Sequence, residues 1–148
     1  MLGRKTILLE SIRRYSVELL VAFGTDDGVN LKSDEHFGMS KYFYVYRFSS
    51  EGEELIEQRK NVDFKGDESL KHGDPEKAKA TASVLKGVDV CVGARFGPNL
   101  PRLLKQFVCV VARTDTIEKA IKLIRENMDL VLGEKEKGEG RKHLVLSL

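Results

Sequence analysis

Tryptophan is absent, and histidine is scarce, with His36, His72 and His143 the only three in 148 residues. Cysteine is scarcer still. Cys91 and Cys109 are the two present, and neither belongs to a CxxC or Cys/His spacing of the kind that holds zinc. A cluster bound by thiolates normally shows several cysteines, which argues against a thiolate-held centre. Each cysteine instead sits in an apolar run, 88–93 or 107–112, where a free thiol behaves as a small hydrophobe in a buried strand. Charge of one sign is lacking too. The 25 Lys and Arg against 23 Asp and Glu leave a formal charge of +2, weak electrostatic footing for nucleic-acid binding. No apolar run approaches the roughly 20 residues of a membrane span. Glu10 breaks the short apolar stretch of the opening segment, unlike a secretory signal. A soluble, cytoplasmic protein with no membrane partner is expected.

What is present is enough for one core. Hydrophobic residues make up 41% of a chain of ordinary single-domain length, too many for a disordered chain. Residues 1–16 are expected as an N-terminal extension, read either as a short basic helix for a partner or membrane surface, with Ile7, Leu8, Leu9 and Ile12 on one face, or as a loosely packed end. Residues 17–132 form the expected domain. Within it, 17–23 is a strand that runs into the turn formers Gly24-Thr25-Asp26-Asp27-Gly28. The aromatic and β-branched segment 42–48 pairs with 54–59 across a short turn, giving a hairpin. Residues 62–75 form a long loop, after which Asp74 caps a helix with Pro75 at its first position, running to about Lys86. A strand at 88–92, a helix from about Pro98 to Gln106, a strand at 107–112 and a helix from Thr116 to Met128 complete the domain. Strands alternating with helices imply parallel pairing and right-handed crossovers. Residues 133–148 are expected as a flexible charged tail in which only the last five could add an edge strand.

Chemistry concentrates in the loops 25–28, 33–38 and 93–99, with Lys71-His72-Gly73 as a fourth. In open α/β sheets, ligands bind beyond the carboxyl ends of parallel strands, so the Asp26 and Arg95 loops should open at one edge if their strands are adjacent. Gly97-Pro98-Asn99 is expected to open a helix whose free N–H groups make a small anion site. Arg95 is read either as a contact for an anionic ligand or as the ion-pair partner of Asp26 or Asp27. His36 is read either as a ligand or as a loop brace through a backbone carbonyl.

Taken together, Gly24-Thr25-Asp26-Asp27-Gly28, His36-Phe37-Gly38-Met39-Ser40-Lys41-Tyr42-Phe43, Lys86-Gly87-Val88-Asp89-Val90 and Gly93-Ala94-Arg95-Phe96-Gly97-Pro98-Asn99 resemble the dinitrogenase iron-molybdenum cofactor biosynthesis family, the NifX, NafY and NifB C-terminal type of domain. The resemblance covers residues 17–128. It implies an α/β, ribonuclease H-like three-layer domain with a mixed five-stranded sheet of order 3-2-1-4-5, strand 2 antiparallel, and flanking helices. It further implies a non-enzymatic carrier that transiently holds an iron-sulfur or iron-molybdenum cluster and meets a cluster donor or acceptor protein. On that basis His72, which resembles the family's loop histidine, and His36 are the candidate metal ligands. Arg95, Gly97, Asn99, Asp26 and Asp27 complete the candidate cofactor-binding set.

Two other classes are open. A partner-binding regulatory module would use the aromatic hairpin, whose edge strand could also support a homodimer. A Mg²⁺-dependent nuclease would use Asp26 and Asp27 after the first strand.

Overall fold

The computed structural model describes residues 18–63 and 69–148. The expected N-terminal helix and part of the 62–75 loop lie outside the described residues. Six strands, β1 (Leu19–Thr25), β2 (Tyr42–Ser49), β3 (Gly52–Lys60), β4 (Val90–Gly93), β5 (Val108–Arg113) and β6 (Leu144–Ser147), form one sheet of order β3-β2-β1-β4-β5-β6. Strand β2 runs antiparallel to β1 and β3, while β1, β4, β5 and β6 pair in parallel. The fold is therefore mixed α/β, with six strands where five were expected.

Helices cover both faces, because buried strand residues alternate across the sheet. On one face Val21, Phe23, Val90, Val92, Val108 and Val110 pack under α3 (Ile117–Glu126) and α4 (Met128–Glu136). The opposite face carries Ala22, Phe43, Val45, Cys91 and Cys109, which meet Leu85, Leu103 and Phe107 from α1 (Pro75–Val84), α2 (Leu100–Leu104) and the segments that follow them. Helix α1 begins as its sequence dictates: Asp74 accepts from the Glu76 N–H at 2.9 Å and Pro75 occupies the first turn. In α3, Thr116 caps Lys119, and Ile117, Ala120 and Ile124 are buried.

Residues 133–148 differ from the expected tail. Met128 and Val131 give α4 an apolar face that the glycine-rich, mixed-charge stretch after it obscures. Glu134 is buried yet satisfied, accepting from Lys137 Nζ at 2.5 Å and from the Lys142 N–H at 2.8 Å. Arg141 donates to the Leu104 carbonyl at 3.1 Å, and Leu146 is buried beside β5. Glu134 and Arg141 thus anchor a segment whose other charges are largely exposed.

The topology sends the ends of β1, β4 and β5 and the start of β2 to one edge. A bridge between Asn30 and Thr116 ties the loop after β1 to the start of α3. The Leu31 N–H donates to Asp115 O and the Ile117 N–H to Val29 O, both at 2.9 Å. A second set of contacts ties the loop after β4 to the turn before β2.

Candidate functional site

That second set is built on Phe37. Its ring is fully buried, 4.9 Å from Phe43 and 5.0 Å from Phe96 between centroids. It lies across the ends of β1 and β4, where glycine is required for room: a Cβ on Gly24 would stand 2.9 Å from the Phe37 ring, and one on Gly93 3.1 Å. The Phe37 N–H donates to the Arg95 carbonyl at 2.9 Å. His36 is positioned by the same junction, its imidazole so close to the backbone of Gly97 that a Cβ there would fall 2.8 Å from the ring. The His-Phe-Gly and Gly-Pro-Asn motifs are thus two halves of one structure.

Between this junction and α1 lies a cavity of about 350 Å³. Its lining brings together His36, Arg95, Gly97 and Asn99 of the sequence-derived set. The Arg95 guanidinium is exposed and forms no ion pair among the described residues, so the expected alternative of pairing with Asp26 or Asp27 is not adopted. Asn99 is occupied structurally: its Nδ2 donates to Asp74 O at 3.0 Å and its Oδ1 accepts from Arg102 at 3.1 Å. Gly73, at φ +83, presses against that Asn99 side chain.

The helix N-terminus expected as an anion site is not open. Helix α2 begins at Leu100, spans five residues and has Pro101 in its first turn. The Leu100 N–H is taken by Gly97 O, and those of Arg102 and Leu103 by Asn99 O. The tight turns that start this helix consume the donors that a longer helix would leave free.

Three sequence-derived candidates lie outside the cavity. His72 is exposed, and its carbonyl accepts from Arg102. Asp26 spends both oxygens, one on Lys32 Nζ at 2.6 Å and the other on the Lys41 N–H at 2.9 Å. Asp27 closes its own turn, accepting from the N–H groups of Val29 at 2.9 Å and Asn30 at 2.8 Å, and from the Asn30 amide at 2.8 Å. The backbone donors of Asn30 and Val29, followed by the Asn30 side chain, pull its pKa down to about 2. Lys32 is buried among Asp26, Asp34 and Glu35 at 2.6, 3.0 and 3.5 Å. Burial works against its ammonium, but the hydrogen bonds and charges of Asp26 and Asp34 outweigh it, and its pKa is raised.

The residue that the sequence did not mark is Lys77, on α1. It is only 6% exposed, it borders both this cavity and a neighbouring one of about 420 Å³, and among the described residues no acceptor or carboxylate reaches its ammonium. Burial lowers its pKa. A lysine inside a helical pattern reads as a solvated position, and the apolar spacing of Ala78, Ala82 and Leu85 gave no sign that its neighbour would face a cavity. A lysine so little exposed and without an ion-pair partner is rare.

The cysteines stay out of the site. Both are free and buried on adjacent strands, and burial pushes the Cys109 thiol up to about 12 and the Cys91 thiol well above its usual range. Among the described residues, no group of three or more His, Cys, Asp or Glu side chains is placed to hold a metal ion. No described helix is long and apolar enough to cross a membrane.

No curated protein and no solved structure matched the chain. Its sequence does match a protein-family model, that of the dinitrogenase iron-molybdenum cofactor, over residues 17–127, a span containing β1 to β5 and both motifs that enclose the cavity; the chain belongs to that family.

Proposed function

We propose that this protein is a non-enzymatic carrier that transiently holds an iron-sulfur or iron-molybdenum type cluster, or its precursor, in the cavity between α1 and the loop after β4. The observation that carries the reading is the meeting of the family's His-Phe-Gly and Gly-Pro-Asn motifs around one cavity that contains an imidazole and two cationic side chains. An imidazole can ligate iron, and cationic groups can hold an anionic cluster through its sulfides. The scarcity of further ligands suits a cargo that must be handed on, since a closed multi-ligand site would retain it. His36 is the proposed ligand within the cavity, and Arg95 the proposed contact for the cargo's charge. His72, exposed in the loop before α1 and outside the cavity lining, is the proposed alternative ligand.

The partner in this reading is a cluster donor or acceptor protein, within a cytoplasmic assembly pathway. The order β3-β2-β1-β4-β5 with β2 antiparallel supports a ribonuclease H-like assignment, with β6 added at the edge. The Mg²⁺-nuclease alternative has no support from Asp26 or Asp27, whose oxygens are engaged by Lys32, Lys41, Val29 and Asn30. The test is anaerobic incubation with iron, sulfide and molybdate, followed by gel filtration and metal analysis. Metal co-eluting with the protein in stoichiometric amount is expected; a metal-free protein peak would contradict the carrier reading.

A further inference from the structure

The cavity's chemistry extends beyond what a cluster requires. Its wall is partly apolar, contributed by Phe96, Leu100 and Leu103, and the nearly buried Lys77 side chain brings to it an ammonium with no partner among the described residues. The carboxylates that also border the cavity are committed elsewhere: Asp34 and Glu35 to Lys32, and Asp74 to the start of α1. They nevertheless leave negative charge at one side, which disfavours a densely charged ion. A volume of about 350 Å³ lies at the small end of the range for organic-ligand sites, roughly 300–1,000 Å³.

We propose that this cavity binds a small organic carboxylate, whose carboxylate meets Lys77 and Arg95 and whose hydrocarbon frame lies against Phe96, Leu100 and Leu103. The proposal rests on the reading of this cavity as the cargo site but requires no metal. Lys77 is the anchor because its unpartnered ammonium, on a side chain only 6% exposed and beside a partly apolar wall, can form a charge-assisted hydrogen bond. Arg95, at the exposed side, adds a planar fork suited to a carboxylate. In the free protein the largely buried Lys77 side chain has no ion-pair partner among the described residues, and the ligand supplies one.

The test uses the metal-free, full-length protein. Succinate, benzoate and inorganic phosphate are titrated at constant ionic strength and followed by calorimetry and by ¹H–¹⁵N spectra. Both carboxylates are expected to bind and to shift the amides of residues 95–97, with phosphate at least tenfold weaker. Lys77→Met keeps the aliphatic stem and should lose roughly tenfold or more in affinity, the worth of one hydrogen bond to a charged group, while its melting temperature stays level or rises. Arg95→Gln should weaken binding several-fold without unfolding the protein. Failure of both carboxylates to bind, tighter binding of phosphate, or unchanged affinity in Lys77→Met would overturn the proposal. A fall in the melting temperature of Lys77→Met would likewise overturn it, by making the lysine a structural member. Cluster loading without carboxylate binding would refute this inference and leave the carrier reading standing. The reverse result would do the opposite.

Discussion

The Phe37 N–H donates to the Arg95 carbonyl oxygen at 2.9 Å, and through that bond two segments almost sixty residues apart become one rim. Backbone groups at such a junction are shielded from water and must be paired, so the bond fixes the loop after β4 relative to the turn before β2. The Phe37 ring then fills the space between them. Removing that ring should therefore affect both the fold and the cavity.

Phe37→Ala is expected to lose about 3–5 kcal/mol of stability, the usual cost of emptying a buried phenyl site. Urea denaturation checks this value, and the amides of residues 93–97 should shift in the variant while those of α4 stay in place. Phe37→Leu, which keeps most of the volume, should lose much less.

The acid limb of stability should depend on Asp27. Its folded pKa is about 2 against an ordinary 3.8, so its contribution is present above pH 3.8 and is lost as the pH falls toward about 2. Asp27→Asn should therefore be less stable than wild type at neutral pH, with the gap narrowing between about pH 4 and pH 2. A gap that stays constant over that window would count against the turn's dependence on the charged carboxylate. Lys32 acts at the other extreme: with its pKa raised, its contribution holds below the ordinary lysine value and disappears only as the pH rises through the folded one.

Cys91 and Cys109 should resist alkylation in the native protein. Reactivity requires a thiolate, and both thiols are buried with raised pKa values. Mass spectrometry after iodoacetamide treatment should find modification only under denaturing conditions. Rapid native labelling of either cysteine would reopen a thiolate role.

Leu146→Ala tests whether the last strand belongs to the core. Its side chain is 6% exposed beside β5, so a loss of about 2 kcal/mol or more is expected. A neutral substitution would return residues 144–147 to the status of a tail.

The sequence carried the element order well where one signal dominated. Continuous apolar runs placed β1, β4 and β5, Asp74-Pro75 placed the start of α1, and Thr116 placed the cap of α3. It misled where two signals competed. The glycines and charges of 133–142 suggested solvation, whereas Val131 packs α4 into the core beside the sheet and Arg141 ties the following segment to the Leu104 carbonyl. The Gly-Pro-Asn motif suggested a helix from about Pro98 to Gln106 with free donors, but the shorter helix beginning at Leu100 has them occupied.

Within the candidate site, motif spacing brought out His36, Arg95, Gly97 and Asn99, because their loops follow strands or precede them at the same sheet edge. Asp26 and Asp27 were equally conspicuous in the sequence, yet their roles lie in local hydrogen bonds that only three dimensions reveal. Lys77 was invisible for the opposite reason. A charged residue on a helix is ordinary in one dimension, and its burial depends on where Gly38 and the loop after β4 come to rest.

The most direct test of the carrier account is cargo loading of wild type, His36→Ala and His72→Ala under anaerobic conditions, read by bound iron and electron paramagnetic resonance. Wild type and His72→Ala should acquire the same cluster signal, and His36→Ala should lose it while keeping a wild-type circular dichroism spectrum. A signal that survives in His36→Ala and disappears in His72→Ala would move the cargo to the alternative ligand outside the cavity and contradict the account's central claim that the cavity holds it.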